Sequence, residues 1–383
     1  MGDLELAQSI MLEFASNTGL QPPQVSPRRY LWTDSFAVCN FLELYTQKND
    51  IKFKDLALVL ANQVHHTLGK HRGDDLQKRS GWISGLSEGE GKLHPTQGGL
   101  RIGKKFPERL VTEPYDDDAE WDKDGQYYHY LTKWLQALSK LFVVTGDRKF
   151  LEFGVELVDG VHSRFTYSRG TRKRMFWKMS IDLSRPLVPS MGHHDPLDGF
   201  ITYYQLNVQL PPNSLKGSME DLKSIMQTQD FSTTDPLGLG GILSDAFRVL
   251  QLYLRTKDQH LLPLFKELLV ASLSGLKGYN RRKLDLPAEY RLAFREFGLS
   301  IGLQAAKRTK DLFSNCRDLA ENSKVLDKLM DEILEFMPLK EAIHAFWGEE
   351  ENRKSTTWKG HLDINMVMWA TSLVPDGFLK ILP

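Results

Sequence analysis

The chain of 383 residues is short of several things. It has no run of 18 apolar residues, so no segment reads as a membrane span. It has two cysteines, Cys39 and Cys316. Each sits in an apolar helical context without a close Cys or His partner. That argues against a disulfide framework or a zinc site, and for reduced core thiols in a cytoplasmic protein. It lacks net charge: 49 basic side chains face 49 acidic ones. No overall field then favours nucleic acid or an anionic membrane. The short clusters "KHR" (70–72) and "RGTRKR" (169–174) read as solvated loops. The N-terminus "MGDLELAQSIMLEFA" carries charges throughout, unlike a signal peptide. Leu6 stands where a myristoylation signal needs Ser or Thr. There is no Walker loop, no GxGxxG after a strand, no GxSxG and no HExxH. No metal and no cofactor is expected, so chemistry would rest on side-chain acids and bases.

Helical periodicity is what the chain has in quantity. "TDSFAVCNFLELYTQ", "QYYHYLTKWLQALSKLFVVTG", "SDAFRVLQLYLRT" and "EYRLAFREFGLSIGLQAAKRT" repeat apolar residues at three- and four-residue spacing. Strand signals are few, with room for one short β-hairpin near 174–188. The stretch of about 70–123 is a long loop rich in Gly, Pro and charge. Its Trp82, Leu86, Leu100 and Ile102 predict packing rather than disorder.

Two patterns recur. "LYTQKNDIKF", "VVTGDRKF" and "LRTKDQHL" each end an amphipathic helix on a Thr, turn through an Asp, and resume a helix. A short turn makes the two helices antiparallel neighbours, and the Asp can accept the free N–H groups of the second. The second pattern marks helix starts: "HDPLDGF" (194–200) and "TDPLGLG" (234–240) share Asp-Pro-Leu, an N-cap followed by Pro at the first helical position. Polar starts also occur at "WTDSF", "KDGQYY", "LDLPAEY" and "GHLDIN", which makes six.

Six hairpins with polar helix starts resemble the six-hairpin glycosidase superfamily, the (α/α)6 toroids. The likeness predicts an all-α fold over residues 1–383 as a single (α/α)6 barrel domain. It implies a funnel at the inner-helix N-termini, walled by long loops, that takes a sugar or oligosaccharide. A finer resemblance is to the N-acylglucosamine 2-epimerase branch, carried by "GHHD" (192–195) and "WKGH" (358–361). This chain departs from that branch at Asp195-Pro196 and in the spacing to His361.

Two chemistries follow as expectations. In a glycoside hydrolase, one carboxylic acid protonates the leaving oxygen and a second group activates water. Asp198 and Asp124 are the carboxylates for that work, with His129 or His194 tuning one of them. In a sugar epimerase or isomerase, His194 and His361 would take and return a proton beside a carbonyl. Arg101 or Arg109 would then hold the oxyanion. Trp32, Trp177 and Trp358 offer aromatic faces for sugar rings, with Trp121 and Trp347 as further candidates. Tyr128, His193 and Asp363 would supply polar contacts. Asp195 reads as an N-cap. A non-catalytic binding protein of the same fold is the third possibility.

Overall fold

The computed structural model describes residues 2–188, 190–227, 229–315 and 323–381, so Cys316 lies outside the described residues. Cys39 is a buried free thiol. The chain divides into two compact units, one of Ala15–Gln229 and one of Met1–Phe14 with Asp230–Pro383. No helix among the described residues is long and apolar enough to cross a membrane.

The first helix is α1 (Asp3–Asn17). The unit Ala15–Gln229 holds α2 (Leu31–Lys48), α3 (Ile51–Leu68), the short α4 (Glu88–Leu93) and α5 (Asp117–Asp122), α6 (Tyr128–Thr145), α7 (Lys149–Phe165), α8 (Asp195–Asn207) and α9 (Lys216–Met226). They pair as α2 with α3, α6 with α7 and α8 with α9, and α6 lies against both α2 and α8. Sequence decides which member of a pair goes inside. In α2, every residue from Leu31 to Leu44 is buried, and α8 is buried almost as fully. Their polar residues are short or paired. By contrast, α3 and α7 keep one charged face for solvent, as amphipathic outer helices do.

The other unit holds α10 (Pro236–Thr256), α11 (Leu261–Gly278), α12 (Ala293–Ser314), α13 (Ser323–Leu334), α14 (Pro338–Gly348), the short α15 (Thr356–Gly360), α16 (Leu362–Leu373) and α17 (Asp376–Leu379). Here α10 pairs with α11, α12 pairs with α13, and α12 also packs on α10 and α16. Glycine sets the crossing of α10 and α12. A methyl group on Gly240 of α10 would stand 1.9 Å from the Gly298 carbonyl oxygen of α12. Only residues without a Cβ let two helix backbones meet this closely.

The recurring Thr–Asp turn has one construction at three hairpins. At α6/α7, Thr145 donates back to the Leu141 carbonyl, Gly146 takes φ 72°, and the Asp147 carboxylate accepts the Lys149 N–H. At α10/α11, the same parts are Thr256 on Leu252, Lys257 at φ 58°, and Asp258 on the His260 N–H. At α2/α3, they are Thr46 on Leu42, Asn49 at φ 52°, and Asp50 on the Lys52 N–H. The left-handed residue ends one helix, and the carboxylate satisfies donors that open the next.

Strands are few and short. β1 (Gln126–Tyr127), β4 (Lys178–Met179) and β5 (Pro186–Val188) form one antiparallel sheet in the order β1-β4-β5. β2 (Thr166–Arg169) and β3 (Arg172–Met175) form a separate hairpin. The expected hairpin near 174–188 corresponds to β4 and β5, and β2–β3 lies just before it.

The long loop is held by ion pairs. Arg79 joins the carboxylates of Asp75, Glu108 and Asp182. Lys70 bridges to Trp82 through the backbone and to Glu88 through its ammonium at 2.9 Å.

Candidate functional site

The opening of α8 is where titratable groups meet. Gly192, His193 and His194 lead into it, and His194 occupies the cap position without a side-chain capping bond. Asp195 is therefore the first residue of the helix and not its N-cap, which corrects the sequence expectation. Its counterpart Asp235 does cap α10, accepting the Gly238 N–H at 2.9 Å. The Asp195 carboxyl is turned elsewhere. Its Oδ2 is buried with no hydrogen-bond partner. A methyl on Gly192 would stand 2.3 Å from that oxygen, so glycine makes room for the carboxyl.

Asp198 follows three residues later, on the same helix face. It accepts from Lys133 Nζ at 2.7 Å and from the Thr132 hydroxyl, both on α6. The two carboxyls thus have different surroundings. Burial, and then the charge of Asp198, push Asp195 up to about 7. Such a carboxyl keeps a proton close to neutral pH, while its neighbour is held by a cation.

His129, on the first turn of α6, completes the group. Its Nδ1 stands 3.8 Å from Asp195 Oδ1, and the ring keeps 34% of its side-chain surface. Desolvation first, and then Lys133, lower it to about 4, with Asp198 acting in the opposite direction. The imidazole is therefore neutral over the physiological range and can accept a proton. Among the described residues, no group of three or more His, Cys, Asp or Glu is placed to hold a metal ion.

Aromatic rings run away from His129. It stacks on Tyr127 at 5.8 Å, Tyr127 stacks on Trp177 at 5.2 Å, and Trp177 meets Trp121 at 5.1 Å. Trp121 ends the row with 54% of its surface exposed. On the other side, the Tyr130 ring lies edge-on to His129 at 4.6 Å, and its hydroxyl meets that of Tyr30 at 2.6 Å. Lys104 Nζ lies over the Tyr30 ring at 5.5 Å.

Several sequence candidates have other occupations. Asp124 is fully buried, and both oxygens are taken: Oδ1 by the Gly103 and Gly125 N–H groups, Oδ2 by Arg72 and Arg101, each at 3.0 Å. That makes it an anchor of the long loop rather than an acid that meets substrate. Arg101 also donates to the Lys70 and Thr67 carbonyls, which leaves no nitrogen for an oxyanion. Arg109 is likewise occupied by Glu120 and the carbonyls of Glu113 and Leu187. Tyr128 is wholly buried, its ring against Phe165. Trp32 is buried on Phe36. Trp177 is half-buried between Tyr127 and Trp121. His193 is exposed, its ring edge-on to that of His194 at 4.4 Å.

His361, Asp363 and Trp358 belong to the other unit. His361 is exposed at the cap position of α16, its Nδ1 3.0 Å from the Thr357 carbonyl oxygen. Asp363 lies in the first turn of α16. Trp358 is core, packed among Phe297, Trp347 and Trp369. Trp347 is fully buried and donates to Glu296 at 2.7 Å.

Sequence reasoning missed two members of the group, Asp195 and Lys133. Asp195 was in view but explained by capping. Lys133 and Thr132 form a polar notch in an otherwise apolar helix, and that was the available signal.

Comparison with solved structures places the architecture. A family 76 glycoside hydrolase from a bovine Bacteroides thetaiotaomicron strain matches with a TM-score of 0.57 at 10% identity, over 99% of this chain and 78% of that one. The cellobiose 2-epimerase from Spirochaeta thermophila DSM 6192 matches with a TM-score of 0.52 at 13% identity, over 98% and 97%. A D-mannose isomerase matches with a TM-score of 0.51 at 14% identity, over 97% of each chain. The fold is that of the six-hairpin (α/α)6 toroids. At these identities the likeness is one of fold, and a shared toroid does not fix a reaction. No protein-family model matches the chain, and no curated protein is significantly similar to it. Five helix pairs of such a fold are those described above: α2/α3, α6/α7, α8/α9, α10/α11 and α12/α13. The acid–base group lies at the N-terminal ends of two of its helices, α6 and α8.

Proposed function

We propose that the chain is a carbohydrate-active enzyme whose acid–base centre is the Asp195–His129 pair. The observation that carries this reading is the 3.8 Å separation of a carboxyl that keeps its proton and an imidazole that lacks one. His129 is the member with surface left, so it is the group that would meet substrate. With Nδ1 toward Asp195, its Nε2 is the nitrogen that takes or returns a proton. Asp195 lies behind it at 3.8 Å and shapes the field at the ring, and the proton that Nε2 takes is returned by the same imidazolium. Asp198, Lys133 and Thr132 fix the local charge.

This arrangement suits proton transfer beside a sugar carbonyl, as in an epimerase or isomerase. An imidazole with surface left can take a proton from one substrate atom through Nε2 and return it to the adjacent one. The two carboxyls of α8 favour hydrolysis as the second reading. Glycosidases use two carboxyls with separated pKa values, about 5–10 Å apart across the scissile bond. Against that role, both oxygens of Asp198 are engaged.

The test is incubation with aldoses and reducing disaccharides in D2O, followed by NMR and a reducing-end assay. The expected result is deuterium at C2 of a turned-over sugar, abolished by His129→Gln. New reducing ends without deuterium at C2 would replace this reading with hydrolysis. No turnover of any sugar in either assay would overturn the enzyme reading.

A further inference from the structure

The segment "YSRGTRKRMF" (167–176) lies outside the acid–base centre. In the β2–β3 hairpin, Arg169 stands opposite Arg172, Tyr167 opposite Arg174, Ser168 opposite Lys173 and Thr166 opposite Met175. Opposed residues of an antiparallel pair project from the same face, and alternate residues share that face. One face therefore carries Arg169, Arg172 and Arg174 with Tyr167. The other carries Lys173 and Met175.

The second face is turned to the protein. Met175 is buried, and Lys173 pairs with Asp221 of α9 at 2.8 Å. The first face is left open. All three arginines are exposed, and none makes a hydrogen bond or ion pair with a described residue. Arg169 and Arg172 stand directly opposite each other, an arrangement that destabilises a hairpin unless something neutralises it. Beside them, the Tyr167 ring stacks on Phe176 at 4.3 Å and 17°. The next residue is Trp177, which belongs to the aromatic row ending at His129.

We propose that this face binds the carboxylate or sulfate groups of an acidic oligosaccharide, an inference that rests on the carbohydrate reading above. Guanidinium forks match planar or tetrahedral oxyanions and are weakly hydrated, so exposed arginines are suited to them. The stacked Tyr167–Phe176 pair adds an apolar slab for the C–H face of a sugar ring. With 49 acidic and 49 basic side chains, the chain has no broad basic field of the kind that long nucleic acids need.

The experiment is fluorescence anisotropy on the full chain. Labelled oligogalacturonate and a sulfated oligosaccharide of matched length are the probes. A polyglutamate peptide and single-stranded DNA of equal charge are the comparators. Wild type is expected to bind at least one acidic saccharide more tightly than either comparator, with affinity falling as salt rises. The Arg169→Ser, Arg172→Ser, Arg174→Ser variant, with an unchanged melting curve, is expected to bind about tenfold or more weakly. Whichever saccharide binds tighter identifies the oxyanion. Equal binding by the variant overturns the proposal, as does equal or tighter binding of the peptide or the DNA. Binding is read without turnover. Failure here is thus distinguishable from failure of the catalytic reading.

Discussion

Lys133 Nζ meets the Asp198 carboxylate at 2.7 Å, whereas Asp195, one turn earlier on the same helix, faces the neutral His129 ring at 3.8 Å. One cation thus secures one of two neighbouring carboxyls, and the other keeps its proton. The consequences of this asymmetry can be measured.

Activity should follow a bell-shaped pH profile. His129 is lowered to about 4 and Asp195 is raised to about 7. An active form with neutral His129 and protonated Asp195 lies between these values. The profile of kcat/KM should rise through the lower and fall through the upper, as apparent constants of the interacting pair. In Asp195→Asn the alkaline limb should disappear, with kcat lower by roughly 10²–10⁴-fold. An alkaline limb that survives this substitution would remove Asp195 from the mechanism.

Stability should carry the same signature. The unfolded-state Asp ionises near 4, while folded Asp195 holds its proton to about 7. Between these values the native state binds more protons, so stability falls as pH rises through the window and levels off above it. Asp195→Asn should remove that fall. Its advantage over wild type should grow by on the order of a few kcal/mol from pH 4 to pH 8 in urea unfolding.

Lys133→Met should take the neighbouring cation from the Asp198 carboxylate. Breaking a fully buried pair costs about 3–5 kcal/mol. Lys133 keeps 17% of its side-chain surface, and solvent screening reduces the cost. A loss of roughly 2–3 kcal/mol at pH 7 is expected, and denaturant titration checks it.

Gly192→Ala tests whether the carboxyl needs the space beside it. The added methyl would stand 2.3 Å from Asp195 Oδ2. The side chain must then rotate away from its present place. A fall in kcat with a far-UV spectrum like wild type is expected; unchanged kcat would show that Asp195 tolerates other orientations.

Lys257→Gly should stabilise the chain. Lys257 adopts φ 58° at the end of α10, where the α6/α7 turn uses Gly146 at φ 72°. Relief of the left-handed strain is worth up to about 1 kcal/mol. A rise of up to about 1 °C in Tm is the readout.

The helical architecture was legible in the sequence because it is written in local patterns. Thr145, Gly146 and Asp147 announce their turn without help from distant residues, and so do Thr256 and Asp258. The site was less legible because its meaning lies in long-range pairing. Asp124 looked like a helix-start acid, yet its partners Arg72 and Arg101 come from 52 and 23 residues away. Asp195 and Asp235 share the string Asp-Pro-Leu, but only the second caps its helix. The difference arises because α8 begins one residue earlier than the motif suggests, with Gly192 giving the carboxyl somewhere else to go. His129 could be named from sequence, but its low basicity depends on burial beside Lys133.

The three Thr–Asp turns separate the duties of each long helix by its ends. In α6 the C-terminal end is fixed by a self-contained turn, while its N-terminal end carries His129, Thr132 and Lys133. Changes at one end need not be negotiated with the other. Such a helix can retain its frame through many exchanges of its reactive tip, which makes this scaffold open to altered chemistry by substitution at a few first-turn positions.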